Sequence, residues 1–151
     1  MQIREATLDD LEHVAAVCDA GGRPRWTSAM IVPRDQRVVL VAVMQGAVVG
    51  VAKTHHYLGP EDNAPAGHYL GGVEVAPEFR RRGIGSELTR VRLELIWAWA
   101  SAAYYFTNEH NTASIRMHET HAFRPVARLR EIRGVTADDG RSELILFEAS
   151  R

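Results

Sequence analysis

The sequence predicts a single domain of the mixed α/β class, with helices packed against a sheet. Its 151 residues are about the length of one domain. Short β-branched runs alternate with stretches that repeat apolar residues every three or four positions, in the order βα, three strands, α, β, α, β, β. Since no internal repeat, low-complexity segment or linker interrupts this order, we expect one domain over residues 1–151.

The first part of the chain predicts a strand, a helix and a loop. Residues 2–6 form the strand, and Thr7 is a suitable N-cap for a helix whose apolar residues follow at helical spacing. The glycine pair at 21–22 ends that helix. The stretch 23–37 contains two prolines, so we expect a loop with at most one short helix.

The middle of the chain predicts a hairpin, a loop and a further strand. Residues 38–43 and 48–54 are β-branched runs on either side of Gln45-Gly46, a dipeptide that makes a tight turn. The segment 58–67 is rich in Gly, Pro, Asp and Asn and predicts a surface loop. Residues 68–76 form the next strand, which ends before a proline.

The last part predicts two helices and three strands. Apolar residues at steps of four, three, four and four mark one face of a long helix: Ile84, Leu88, Val91, Leu95 and Trp99. Further elements are a strand at 103–107, a helix at 111–120 capped by Asn111, and strands at 126–132 and 143–147 around a turn region at 134–140.

Composition limits the classes of partner. The formal net charge is −1 and the pI is about 6.7, so bulk charge does not favour nucleic acid or an anionic membrane. The charged N-terminus lacks the apolar core of a signal peptide, and no apolar stretch is long enough to span a membrane. The only cysteine, Cys18, lies on an apolar helix stripe and is expected to be buried. We therefore expect a cytoplasmic protein.

The most informative stretch runs from Val73 to Ser86, where a strand leads through a glycine-containing turn into the longest helix. The first amides of a helix lack partners within it and carry partial positive charge, which suits a phosphate. Gly83 and Gly85 allow a ligand to approach the backbone closely. Three arginines add charge and forked donors: Arg80, Arg81 and Arg82. We call Arg80–Ser86 the glycine turn.

Several phosphate-binding motifs do not fit the glycine turn. A P-loop requires a lysine that is missing here, and a dinucleotide fingerprint requires a third glycine where Leu88 stands. A nucleic-acid patch would interleave aromatic residues with the basic ones. On the turn alone, a solvated basic loop before a helix is an equal alternative.

The glycine turn resembles the coenzyme-A-binding motif of the GCN5-related N-acetyltransferases (GNAT), Gln/Arg-x-x-Gly-x-Gly/Ala. Here the matching residues are Arg80-Arg81-Arg82-Gly83-Ile84-Gly85, preceded by Val73-x-Val75-x-Pro77. Asn111-x-x-Ser114-Ile115 with Phe123 is similar to the family's second motif, and Ile3-Arg4-Glu5-Ala6 with Asp10-Leu11 is a weaker third likeness. The order of elements extends the resemblance over nearly the whole chain.

The resemblance implies a GNAT-like fold, with a mostly antiparallel sheet flanked by helices and a splayed parallel pair of central strands. The splayed strands would be 68–76 and 103–107. It also implies acetyl-CoA as co-substrate, with pantetheine bound by the backbone near Val73 and Val75. The diphosphate would lie on the amides of Arg81–Ser86, and Asn111 and Ser114 would contribute from the second motif.

The chain departs from the family pattern at two positions. The family often places a tyrosine seven residues after the motif asparagine, as the acid that protonates the leaving thiolate, and this chain has His118 there. The family glycine before Phe123 is Ala122. An imidazole can donate a proton, so His118 is either the general acid or a packing histidine.

Acyl transfer to an amine also needs a base and a polarised carbonyl. Glu74 is the candidate base, because strand alternation points it away from its two valine neighbours. A structural carboxylate paired with an arginine is the equal alternative. By the resemblance, the backbone N–H of Val75 would polarise the carbonyl.

The acceptor is predicted to be a small-molecule amine, and acidic loop residues Glu61 and Asp62 would suit a cationic one. Trp26 is a further candidate for the acceptor pocket. His55 and His56 could line it, although an exposed strand end is the favoured interpretation of that pair. A protein N-terminus or lysine is the competing acceptor, and a non-catalytic CoA sensor is the alternative from another class. No metal is expected, because His118 and His121 have no evident third ligand. The oligomeric state is left open, with a homodimer as one option.

Overall fold

A computed structural model describes all 151 residues, Met1–Arg151. Its longest helix has 14 residues, and none has the length and hydropathy of a bilayer-spanning helix. The strands are β1 (Gln2–Glu5), β2 (Val39–Met44), β3 (Ala47–Tyr57), β4 (Gly67–Val75), β5 (Ala102–Asn108), β6 (Arg124–Leu129), β7 (Glu131–Ile132), β8 (Val135–Thr136) and β9 (Leu144–Ser150). The helices are α1 (Leu11–Ala20), α2 (Ser28–Ile31), α3 (Ile84–Trp97) and α4 (Thr112–Glu119).

Seven strands form one sheet in the order β1-β2-β3-β4-β5-β9-β6, and β7 pairs with β8 separately. The β1–β2, β2–β3, β5–β9 and β6–β9 pairs are antiparallel, whereas β4 and β5 are parallel. The parallel pairing joins His68–Tyr69 to Ala103–Tyr104, although β4 continues to Val75 and β5 to Asn108. The predicted mixed fold with a splayed parallel pair is confirmed.

The chain divides into two compact units, which are described separately. Unit 1 comprises Met1–His55 and Gly71–Glu94, and unit 2 comprises His56–Leu70 and Leu95–Arg151. The expectation of one domain over residues 1–151 stays a prediction.

Unit 1 has an apolar core built from α1, α2 and the first strands. Its buried residues are Ala6, Val14, Cys18, Trp26, Ile31, Val39, Val41 and Val51. Cys18 is fully buried, as predicted, and burial raises the pKa of its thiol. Trp26 is only 7% exposed, so it packs in this core.

The buried face of α3 differs from the predicted one. Four of its buried residues recur every four positions, namely Ile84, Leu88, Arg92 and Ile96, and Thr89 and Leu93 are buried beside them. The predicted face began with the same two residues and then shifted to Val91, Leu95 and Trp99. Trp99 lies beyond the end of α3 and is 42% exposed. Apolar spacing leads from Leu88 to Val91, whereas the structure buries the charged Arg92 on this face.

Arg92 is held by neutral oxygens. Its Nη1 donates to the carbonyl oxygens of Lys53 at 2.9 Å and Gly71 at 3.3 Å. Its Nε donates to the Leu88 carbonyl and its Nη2 to the Thr89 hydroxyl. Burial lowers the pKa of Arg92 to about 9. The guanidinium therefore links α3 to the backbone of both β3 and β4 within unit 1.

Unit 2 contains a second apolar cluster, made by Ala64, Tyr69, Ile132, Ala137, Leu144 and Leu146. Beside it, Arg133 reaches into the loop between β3 and β4. Its Nη2 donates to the carbonyl oxygens of Gly59 and Pro65 at 2.8 Å each, and its guanidinium lies 4.2 Å from the centre of the Tyr57 ring. Glu61 pairs with it at 3.6 Å. This arginine ties the loop to the β7–β8 hairpin.

The strand predicted at 126–132 is broken in the structure. β6 ends at Leu129, and β7 folds back on β8 as a separate hairpin. Arg133 and Gly134 form its turn with φ values of 52° and 78°, the left-handed region that a two-residue hairpin turn requires. The β-branched residues on both sides of the break concealed it in the sequence.

Candidate functional site

The glycine turn has an open backbone at the start of α3. Arg81 and Gly83 have φ values of 63° and 81°, in the left-handed region. A Cβ added at Gly83 or Gly85 would meet no atom within 4 Å. Since Gly83 precedes α3 and has no side chain to accept from its first amides, these donors are suited to an outside anion. Ile84 is buried, so it would contribute its backbone amide and not its side chain.

The three arginines of the turn differ in what they contact. Arg80 donates from Nε to the Val75 carbonyl at 3.1 Å, so it folds back over the end of β4. Arg82 lies over the ring of Phe79 at 5.2 Å from its centre. Arg81 is exposed. The turn is therefore positively charged, but its guanidinium groups are not equivalent.

Val73, Glu74 and Val75 lie at the end of β4, before the glycine turn. The Ala76 N–H donates to the Val49 carbonyl of β3 at 2.8 Å. Because successive amides of a strand point to opposite edges, the amides of Val73 and Val75 point away from β3. These are the two amides that the sequence assigned to the pantetheine and the acyl carbonyl.

Glu74 has an arginine partner. Its Oε1 lies 3.4 Å from Nε of Arg23, which follows α1, and its side chain is 17% exposed. The arginine is 56% exposed, and a single contact of this length at the surface contributes little to stability. Glu74 therefore has the arginine partner that a structural role predicts. Since only one carboxylate oxygen contacts Arg23, the other is available to accept a proton.

In unit 2, Asn111 caps α4 as predicted. Its Oδ1 accepts from the Ser114 N–H at 3.4 Å, and its Nδ2 donates to the Thr107 hydroxyl at 3.0 Å. The Ser114 hydroxyl lies 2.8 Å from the Tyr105 hydroxyl. The cap role is confirmed, and a coenzyme contact by Asn111 or Ser114 stays a prediction.

His118 is buried among aromatic rings. It is 4% exposed and stacks on Tyr105 with ring centres 3.5 Å apart. Its Nδ1 lies 2.7 Å from the Ser114 carbonyl, which can only accept, so this nitrogen carries a proton. Phe123 packs against it edge to face. These contacts are those of a packing histidine, and the general-acid role stays a prediction.

The predicted site residues fall into two groups. Unit 1 holds the glycine turn, Val73, Glu74 and Val75, whereas unit 2 holds Asn111, Ser114 and His118. Sequence reasoning missed two basic residues of unit 1 that contact β4, Lys53 and Arg92. The step of four from Leu88 to Arg92 was the available signal for the second.

The other histidines show no metal cluster. Burial lowers the pKa of His55 to about 4. His56 stacks on His68 with ring centres 4.2 Å apart, and Trp99 also stacks on His68. The structure brings together no group of three His, Cys, Asp or Glu side chains.

The comparisons with known proteins agree with this geometry. A profile of the acetyltransferase (GNAT) family matches residues 6–123. No curated protein sequence matched the chain.

Solved structures share the fold over the whole chain. The ribosomal-protein-alanine N-acetyltransferase of Brucella melitensis is 25% identical, with a TM-score of 0.76 and full coverage of both chains. The ribosomal-protein-S18-alanine N-acetyltransferase of Escherichia coli is 18% identical, with a TM-score of 0.76 and coverage of 99% of this chain and 92% of that one. The yncA protein of Salmonella typhimurium, solved with its cofactor acetyl-CoA, is 20% identical, with a TM-score of 0.72 and coverage of 99% and 92%.

Proposed function

Because the chain belongs to the acetyltransferase (GNAT) family, we propose that it transfers an acetyl group from acetyl-CoA to the amine of a small molecule in the cytoplasm. The amine attacks the thioester directly, with both substrates bound at once. The observation that carries the proposal is the strand–turn–helix segment of unit 1, in which α3 begins directly after Gly83, a residue with no side chain and with open space around it.

The glycine turn fits a diphosphate. Open space at Gly83 and Gly85 allows phosphate oxygens to reach the amides of Arg81–Ser86, and the helix dipole favours the negative charge. The exposed guanidinium of Arg81 adds attraction, and Arg80 supports the turn through its contact with Val75. Bound there, acetyl-CoA supplies the activated acyl group.

Glu74 is the proposed base. An alkylamine is mostly protonated at neutral pH, so a proton must leave before or during the attack on the carbonyl carbon. The carboxylate of Glu74 is half-buried and keeps an oxygen that does not bond Arg23. It can accept the proton directly or through one water molecule.

Backbone amides and one histidine complete the proposed chemistry. The Val75 N–H, which points away from β3, would donate to the acyl oxygen as negative charge develops on it, and Val73 would bind the pantetheine arm. The departing sulfur then needs a proton, and His118 is the proposed donor.

A protein N-terminus is the second candidate acceptor. It is favoured by the likeness to the Brucella melitensis enzyme, which acts on a ribosomal-protein alanine and aligns over the full length of both chains. An α-amine has a pKa near 8, below that of an alkylamine, so it would demand less of the base.

The test has two steps. Calorimetry with CoA measures binding, and thiol release from acetyl-CoA is then followed with small amines and with alanine-terminated peptides. Release with a small amine supports the first acceptor class, and release with peptides alone supports the second. The absence of CoA binding would overturn the proposal. CoA binding without thiol release on any amine would support the alternative of a non-catalytic CoA sensor.

Variants of two nearby carboxylates test the base. We expect Glu74→Gln to lower kcat by at least about tenfold, since general bases typically contribute two to four orders of magnitude. Glu78→Gln, an exposed carboxylate in the same segment, is the matched control and should leave kcat unchanged. Equal rates in the two variants would remove Glu74 from the mechanism.

A further inference from the structure

Lys53 is the only lysine in the chain. The sequence has 18 Lys and Arg residues, and all the others are arginines. Lys53 lies in β3 and is half-buried within unit 1. An arginine cannot act as a nucleophile at neutral pH, because its guanidinium stays protonated. The single side-chain amine of this acetyltransferase is therefore half-buried against the fold and not fully exposed.

Two glycines of β4 leave the space for this side chain. A Cβ added at Gly71 would lie 2.9 Å from Cγ of Lys53, which is a clash. A Cβ at Gly72 would lie 3.7 Å from Cε of Lys53 and 3.4 Å from the ring of Trp26. The lysine side chain thus runs along β4 from Gly71 to Gly72, and its Nζ lies over the Trp26 ring, 4.6 Å from the centre.

The Lys53 side chain reaches the strand that carries the proposed base. Gly72 and Glu74 are two residues apart in β4, so their Cβ directions share one face of the strand. The next residue after Glu74 is Val75, whose N–H we propose as the donor to the acyl oxygen. The end of Lys53 therefore approaches β4 just before the residues assigned to acyl transfer.

Arg92 fixes the strand positions on which this approach depends. Its Nη1 donates to the carbonyl oxygens of both Lys53 and Gly71, and Arg92 is fully buried. A guanidinium that bonds the backbone of both strands holds the lysine beside the glycine pair. The geometry is therefore built into unit 1.

The surroundings of Lys53 favour its neutral form. Burial lowers the pKa of the amine, and the charge of Arg37 lowers it further. A larger fraction of the amine is therefore nucleophilic than in an exposed lysine.

We propose that Lys53 is an acetyl acceptor for the protein's own thioester site, so that the enzyme acetylates itself. The inference rests on the proposed function. The Nζ lone pair attacks the thioester carbonyl carbon, an N–C bond forms and the C–S bond breaks. The electron pair leaves with the sulfur, and the proton lost by nitrogen passes through Glu74 or water to the thiolate. The products are Nε-acetyl-lysine and CoA.

Intact-mass spectrometry of the protein incubated with acetyl-CoA tests the proposal. We expect a gain of one acetyl group per chain, mapped to Lys53 by the loss of tryptic cleavage after this residue. The rate should saturate with acetyl-CoA and should not depend on protein concentration, because the reaction is intramolecular. The Lys53→Arg variant should not gain the Lys53 modification.

A second thioester distinguishes self-acetylation at the coenzyme site from non-enzymatic acetylation of the lysine by a thioester in solution. S-acetylglutathione has a thioester but no diphosphate for the glycine turn, so we expect at least tenfold slower labelling at equal concentration. Equal labelling by both thioesters would overturn the proposal.

The remaining outcomes distinguish this proposal from the proposed function. Thiol release with added amines but no acetylation of Lys53 would overturn self-acetylation alone and leave Lys53 as a packing residue. An absence of both CoA binding and thiol release would overturn both proposals. Mapping on the unaltered chain keeps the result independent of how the variant folds.

Discussion

The helices α3 and α4 begin in opposite ways. Before α4, the side chain of Asn111 accepts from the Ser114 N–H and closes the helix start. Before α3, Gly83 has no side chain, and the space around it and Gly85 is open. Both starts present amides that have no partner within the helix backbone and the same dipole, so helix geometry alone does not create an anion site. What distinguishes them is whether the residue before the helix has a side chain that can accept from its amides.

The largest expected effect is a loss of stability at the turn before α1, where the carboxylate of Asp10 accepts from a backbone amide. Asp10 accepts from the Thr7 N–H at 2.8 Å and pairs with Arg4, which holds its pKa at about 2. We expect Asp10→Asn to lower the free energy of unfolding by about 2 kcal/mol at pH 7. Urea denaturation measures this loss, and the exposed Asp9→Asn is the control.

The same pair sets a pH dependence with a definite sign. Because the folded pKa of Asp10 is depressed, its contribution is complete above the ordinary value near 4. It is lost as the pH falls from about 4 to about 2. The gap between wild type and Asp10→Asn should therefore close over that range, and a gap that is constant with pH would assign the loss to packing.

At the open start of α3, Gly85→Glu should weaken CoA binding by at least about tenfold, through the repulsion of like charges in close contact. The fold should be as stable as before or slightly more stable, because an acidic residue in the first turn favours the helix. Calorimetry with CoA and a thermal melt measure the two effects. Gly85→Ala is the matched control, since the GNAT motif accepts alanine there. Unchanged affinity in the glutamate variant would place the diphosphate elsewhere.

At the closed start of α4, Asn111→Ala should lower the free energy of unfolding by about 1 kcal/mol, because an N-cap is lost. Asn111→Asp keeps an accepting oxygen and should retain most of that stability. Denaturant titration compares the two variants. If Asn111→Asp also weakens CoA binding while the fold stays intact, the amide contributes to the coenzyme site, as the family resemblance implies.

Arg81→Gly tests the smallest effect, which is the contribution of one exposed positive charge to CoA binding at the start of α3. We expect CoA affinity to fall roughly two- to fivefold, since an exposed charge pair contributes about 0.2–1 kcal/mol. The difference should shrink in high salt. Stability should not fall, because φ at Arg81 is 63° and glycine adopts this region freely. Gln45→Gly, with φ of 51° in the β2–β3 turn, is the control for relaxing a left-handed residue away from the site.

The sequence predicted most elements of the fold where local rules agree with the tertiary structure. The hairpin at Gln45-Gly46 is an example, because the left-handed φ values of 51° and 80° are those that this dipeptide tolerates. It failed where residues with strong strand preference turn back, as in the β7–β8 hairpin. There the turn residue Arg133 is held by contacts distant in sequence.

Buried basic residues were the main gap in the prediction of the site. Hydrophobic periodicity treats arginine and lysine as markers of solvent, so it moved the α3 face away from Arg92 and overlooked Lys53. Arg92 is buried because backbone carbonyls accept from it, and Lys53 is half-buried because two glycines leave it space; neither kind of partner shows a pattern in the sequence. The glycine turn and Glu74 could be predicted from the sequence because a strand, two glycines and a helix are each recognised from neighbouring residues.

Arg133 has a practical consequence for limited proteolysis. Trypsin must draw an arginine side chain into its specificity pocket, but that of Arg133 is 7% exposed and bonded to the β3–β4 loop. Cleavage between Arg133 and Gly134 therefore requires the loop to release the side chain first. The rate of that one cut reports how often the loop detaches from the hairpin, and a ligand that steadies the loop would slow it.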